Sequence, residues 1–271
     1  MKEYEKLTLR DHFMFGKIST KTENCQIILN SLVGDDIVIV GGEAEKVIQE
    51  YDQSKCVRLD LLAEDVEGTF YNAEMQNLSK NKERQAELPK RARYYQAIID
   101  TAIFESGKNY LRLPKTYVIF ICTFDPFGKG LAKYTFRTSC EETDELGYDD
   151  GALKIFFNTK GDMSLLPQNT ANMLKYIESG EVSDVATKRI NDEVVRARIK
   201  EEWRTEYMLT VVHDNDVYTD GYDTGYDSGY DTGYDTGYDT GFSSRQEEVD
   251  KLTLAFQEKA RELEEYKRLH P

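Results

Sequence analysis

Residues 56–76 read CVRLDLLAEDVEGTFYNAEMQ, and their alternation carries the fold. Successive side chains of an extended chain point to opposite faces. Val57, Leu59, Leu61 and Ala63 therefore share one face of a strand, and Cys56, Arg58, Asp60, Leu62 and Glu64 share the other. In a second strand Tyr71, Ala73 and Met75 alternate with Phe70, Asn72, Glu74 and Gln76. Between the strands, Val66, Glu67 and Gly68 fit a three-residue hairpin loop with Gly68 in the left-handed conformation. That register pairs Asp65 with Thr69, and Asp60 with Glu74. Opposed residues lie on one face with β-carbons about 4.5–5.5 Å apart. Two carboxylates so placed repel unless a positive charge stands between them. A hard divalent cation, which takes oxygen ligands, meets that need. The alternative from spacing alone is a solvated hairpin face with two surface acids.

The chain has 271 residues, 31% of them charged, which suits one sizeable domain with appendages. No apolar run reaches the roughly 18 residues of a membrane span. The start, MKEYEKLTLRDHF, lacks the apolar core of a signal peptide. A cytoplasmic location is expected. Cys25, Cys56, Cys122 and Cys140 show no CxxC spacing and His12, His213 and His270 are scattered, so reduced thiols are expected and zinc is not.

The net charge of −15 is uneven: residues 1–140 are neutral, residues 141–241 carry −14 and the remainder −1. Within the front part, residues 80–115 are basic, with Lys80, Lys82, Arg84, Lys90, Arg91, Arg93, Lys108, Arg112 and Lys115 against four acids. Such a patch beside the hairpin could hold phosphates; the alternative is a solvated helix face.

Periodicity places helices at Leu9–Ile18 and from Thr22, as cap, to Gly34. A short buried strand, Ile37–Val40, is expected to end at Gly41-Gly42. After the hairpin comes a long helix over about 83–106, with Pro89 as a kink or the true start and an apolar stripe of Tyr95, Ile98, Ile99, Ala102 and Ile103. The run YVIFICTF, Tyr117–Phe124, predicts a central strand buried on both faces. Strands at Leu131–Arg137 and Leu153–Asn158 follow, then helices around Met173, Leu174 and Ile177 and from Ser183, as cap, to about Met208.

This order, helix, three strands, helix, strand, together with RLDLLAEDVEGTFYNAEMQ, KRARYYQAIID, YVIFICTFDPFGKGLAKYTF, KIFFNTKG and EEWRTEYM, resembles the PD-(D/E)XK nuclease superfamily, and within it the recombination-promoting nuclease, or transposase-like, family. The resemblance spans about residues 8–208. It implies an α/β fold with a mixed sheet, a restriction-endonuclease-like αβββαβ core and a helical C-terminal extension. It implies a metal-dependent DNA endonuclease using Mg²⁺, or Mn²⁺ or Ca²⁺, with DNA as partner. Asp60 matches the strand aspartate that binds the metal, and Glu74 the acid of the (D/E)-x-K motif. Gln76 stands where most members carry lysine. Asp11 corresponds to an acid that some members supply from the first helix. Lys80, Lys82, Lys90, Arg91, Arg93 and Tyr95 are the candidate DNA-binding residues. Arg91 and Tyr95 share a helix face at i and i+4, and Lys80 or Lys82 could swing in to supply the missing lysine charge. Glutamine cannot carry charge or take a proton, so a weak or inactive DNA-binding or regulatory protein, or an assembly scaffold, are the other readings.

The domains expected are a nuclease-like domain over 1–160, a helical extension over 161–215, a spacer over 216–242 and a C-terminal helix over 243–271. The spacer holds five tetrads, GYDT, GYDS, GYDT, GYDT, GYDT, at residues 221–240. Glycine costs about 1 kcal/mol per residue in a helix, so in isolation the tetrads should be disordered or only partly helical. In the last helix Val249, Leu252, Phe256, Leu263 and Tyr266 follow a rough 3–4 spacing, a candidate short coiled coil that would form a homodimer or higher oligomer, or a stripe packed onto the domain.

Overall fold

The computed structural model describes residues 2–34, 37–48, 57–77, 82–104, 106–143 and 145–269. In chain order the elements are α1 (His12–Ser19), α2 (Thr22–Leu32), β1 (Ile39–Ile48), β2 (Val57–Asp65), β3 (Phe70–Gln76), α3 (Lys82–Ile103), β4 (Thr116–Cys122), β5 (Lys133–Phe136), β6 (Ala152–Asn158), α4 (Gln168–Ser179), α5 (Val185–Ala197) and α6 (Glu201–Leu269). The strands make one mixed sheet in the order β1-β2-β3-β4-β6-β5. The αβββαβ core expected from the resemblance is therefore present.

Gly68 has φ 77° and the Asp65 N–H donates to Thr69 O at 3.1 Å, so the turn sets the expected register. Leu61 faces Ala73, Leu62 faces Asn72 and Ala63 faces Tyr71. From β3 the chain crosses through α3 to β4, which runs parallel to β3 with Gln76 beside Cys122, and β6 runs parallel to β4. The N-terminal half of α3 thus follows the carboxyl end of β3, where ligands of open α/β sheets gather.

β4 is central and buried on both faces, which explains its unbroken apolar run. Ile119 and Ile121 pack with α1, α2, α4 and α5 through Met14, Phe15, Ile28, Met173 and Ile190. Val118, Phe120 and Cys122 pack with Leu88, Ala92, Tyr95 and Ile99 of α3. Leu59 and Leu62 lie on the α3 side, and Leu61, Ala63, Ala73 and Met75 on the other, so Leu59 does not share the face of Leu61 and Ala63 that alternation predicts.

Several expectations need correction. The strand placed at Ile37–Val40 instead continues through Gly41-Gly42 to Ile48, because a shift between Ile39 and Gly41 absorbs the glycines as an edge-strand irregularity. α3 runs through Pro89, and Ala102 is exposed while Leu88 and Ala92 complete the buried stripe. Lys21, not Thr22, is the cap position of α2. Asp184, not Ser183, caps α5 in a capping box with Thr187. The helix expected to reach Met208 breaks between α5 and α6.

The chain divides into two compact units, Met1–Tyr207 and Met208–Pro271. α4 and α5, expected in an extension after residue 160, share the first unit's core. So do the first turns of α6, where the Tyr207 ring meets Tyr4 and Phe13 at 5.9 and 5.2 Å. The described residues of the second unit are helix. α6 takes in all five tetrads, although disorder or partial helicity is expected of them in isolation. They lie inside a helix that continues on both sides, and propagation costs far less than nucleation. Among the described residues no helix is long and apolar enough to cross a membrane.

Candidate nuclease site

The regular β2–β3 ladder ends at Leu61 and Ala73, one step short of the pair that matters. Beyond it β2 stays with β1 and β3 with β4, so the two strands fork. Asp60 and Glu74 sit at that fork and close it with their side chains. The Asp60 N–H donates to Glu74 Oε1 at 3.1 Å, and the Met75 N–H donates to Asp60 Oδ2 at 2.8 Å. Each carboxylate thus replaces a missing backbone carbonyl of the opposite strand. Both residues are 1% exposed, so the solvated-hairpin alternative fails.

Burial, and after it the negative charge of Asp60, push the Glu74 carboxyl well above its ordinary value. Asn72, the Asp60 N–H and Arg91 pull against that rise. Asn72 stands two residues before Glu74 on the same face. Its Nδ2 donates to Glu74 Oε1 at 2.8 Å and to Leu61 O at 3.1 Å. On Glu74, Oε1 therefore takes two donors. On Asp60, Oδ2 takes one.

The other Asp60 oxygen meets a residue not among the candidates. His12, at the start of α1, brings Nε2 to 2.5 Å from Asp60 Oδ1. Its neighbour Asp11 turns elsewhere: Asp11 Oδ2 accepts from Thr8 N at 2.7 Å and lies 2.5 Å from Lys2 Nζ. These local loop contacts occupy Asp11 Oδ2. Among the described residues no three His, Cys, Asp or Glu side chains gather to hold a metal.

Gln76 is buried, and the positive group beside it is Arg91. Arg91 Nη1 donates to Gln76 Oε1 at 2.9 Å and Nη2 to Tyr95 OH at 2.9 Å. The guanidinium lies 5.4 and 5.5 Å from the Tyr95 and Phe120 ring centroids, close enough for cation–π attraction. Burial, then the charge of Glu74, raises the Tyr95 hydroxyl above its ordinary value. The i, i+4 pairing read from α3 is therefore real, and it faces the carboxylates.

Of the other candidate DNA-binding residues, Lys82, Lys90 and Arg93 are exposed on α3 and are not drawn into the carboxylate cluster. Lys80 lies outside the described residues, as does Cys56; Cys25, Cys122 and Cys140 are free thiols.

A forked hairpin with a strand aspartate and an acid two places before Gln76, on a mixed sheet backed by a crossover helix, defines a PD-(D/E)XK-type domain. Residues 11–145 match the PD-(D/E)XK nuclease family transposases, and this part of the chain belongs to that family. No curated protein and no solved structure matches the chain.

Two signals for the missed residues differ in kind. Asn72 shares the face of Glu74 by simple alternation. His12 carries no local signal, because its approach to Asp60 depends on how α1 packs against β2.

Proposed function

We propose that the chain is a divalent-metal-dependent DNA endonuclease of the transposase-like type, with Asp60 and Glu74 as metal ligands. The observation that carries this is the buried carboxylate pair at the fork, with Glu74 raised by burial and by Asp60. The donor set fits a hard cation. Two carboxylates suffice for Mg²⁺, which keeps most of its coordination for water and phosphate oxygens. Such a cation would polarise the scissile phosphodiester and acidify a bound water.

The protein's own groups do the rest. Asn72 and the Asp60 N–H hold Glu74 Oε1, which orients the other oxygen. The Met75 N–H holds Asp60 Oδ2. Gln76 cannot supply the charge of a lysine, but Arg91 stands on it and offers a fixed positive charge for the developing negative charge on phosphate. Arg91 thus takes up the role assigned above to Lys80 or Lys82, and it weakens the reading of a decayed site. The exposed cations Lys82, Lys90 and Arg93 would meet flanking phosphates.

Val249, Leu252, Phe256 and Leu263 are exposed along α6 at coiled-coil spacing. We infer that a second copy covers them, pairing two nuclease domains on one duplex.

Supercoiled plasmid, incubated with Mg²⁺, Mn²⁺ or Ca²⁺, tests the assignment. Wild type is expected to nick or cut it, and Asp60→Ala to be slower by about a thousandfold, the several kcal/mol that metal stabilisation supplies. Equal rates would remove the nuclease reading.

A further inference from the structure

The loop after β4, residues Thr123–Ala132, is built around two acceptors. Five consecutive N–H groups turn inward. Those of Phe127, Gly128 and Gly130 donate to the Asp125 carboxylate at 3.1, 2.9 and 2.6 Å. Those of Lys129 and Leu131 donate to Tyr134 OH at 3.3 and 3.2 Å. The same hydroxyl donates to Asp125 Oδ1 at 2.7 Å, so all its bonding capacity is used. Gly128 and Gly130 supply the left-handed residues this winding needs, at φ 68° and 72°. Against the upward push of burial, the Tyr134 hydroxyl and the Gly130, Phe127 and Gly128 N–H groups hold Asp125 below the ordinary carboxylate range. On the inner side Phe127 seats its ring 4.9 Å from Tyr134 and 5.1 Å from Phe156.

One charged side chain leaves this frame. Lys129, between the two glycines, is exposed, and among the described residues no carboxylate lies in ion-pair reach of it. The root of the loop adjoins the site. Thr123 N–H donates to Gln76 O at 3.0 Å, and both Arg91 and Asp125 act electrostatically on the buried Cys122 thiol. The loop therefore leaves the carboxyl edge of the parallel strands, next to Gln76. A backbone so fully tied fixes where its one free cation stands, which is what recognition of a regularly spaced polyanion requires.

We propose that Lys129 is a preorganised contact to a DNA backbone phosphate beside the cut site, with Asp125 and Tyr134 as its positioning residues. This rests on the nuclease reading above. The probe is a fluorescent duplex titrated with the full chain in EDTA, where cleavage is prevented, over a range of salt. Lys129→Ala is expected to weaken binding about fivefold at moderate salt and to lower the slope of log K against log salt by about 0.9, the value for one phosphate contact. Lys129→Arg should restore the slope. Tyr134→Phe should weaken binding and add little once Lys129 is alanine. An unchanged slope for Lys129→Ala, or full additivity of the two changes, overturns the proposal while leaving Asp60-dependent cleavage intact. A wild type that binds no duplex overturns both it and the nuclease reading.

Discussion

The β2–β3 hairpin and the tetrads of α6 are both written in strict sequence periods, yet the two periods act differently. In the hairpin, Asp60, Asn72, Glu74 and Gln76 are all buried, and each side chain has a named partner. In the tetrads, Tyr230, Tyr234 and Tyr238 repeat on an exposed helix surface. The Tyr234 and Tyr238 rings meet across neighbouring turns, at 6.5 Å. Period alone therefore identifies an element. Burial and partnered polar atoms identify a site.

The sharpest way to break that contrast is at Arg91. Among the described residues it is the cation that donates directly to Gln76, and it also steadies Tyr95. Arg91→Ala should slow single-turnover cleavage about a hundredfold, the loss typical of one preorganised charge-stabilising donor, with folding judged by an unchanged circular dichroism spectrum. Arg91→Lys should recover only part, since an ammonium cannot bridge Gln76 and Tyr95 as the planar fork does. Full activity for Arg91→Ala would return the missing charge to Lys80 or Lys82.

A smaller effect is expected in stability. Glu74 titrates at higher pH in the folded chain than in the unfolded one. Its burial thus costs nothing in acid, below the unfolded value, and lowers stability as pH rises from there through the raised folded value. Glu74→Gln keeps an acceptor for Asn72 and the Asp60 N–H without the charge. In EDTA at pH 8 it should melt higher than wild type, by about 2–4 °C for each kcal/mol gained, and the difference should vanish near pH 4. Adding Mg²⁺ should raise the Tm of wild type and not that of the variant.

The hairpin was legible because its determinants are short-range: a turn that fits Val66-Glu67-Gly68 leaves one register, and register leaves one partner for Asp60. The fork was not legible, because the splitting of β2 from β3 depends on which outer strand each follows. Arg91 was visible as a helix-face residue, but its grip on Gln76 spans a crossover that no local rule measures. His12 reaches Asp60 only through the packing of α1. Gly41-Gly42 misled because glycine marks both strand ends and edge irregularities. The tetrads misled because propensity describes an isolated segment, while this one continues a helix already begun.

The smallest expected effect lies in those tetrads. An added β-carbon at Gly233 would meet no atom within 4 Å, so Gly233→Ala carries no steric penalty within the chain. It should stabilise the helix by about 0.8–1 kcal/mol from propensity alone, seen as a higher melting midpoint of the 222 nm signal with the first unit's transition unmoved. The same substitution also probes the glycine stripe. If a second copy packs against glycine backbone there, the methyl group would intrude, and sedimentation should show weaker association despite the firmer helix. Firmer helix with unchanged mass would leave the oligomer seam at Val249, Leu252, Phe256 and Leu263 and make the glycines mere spacing.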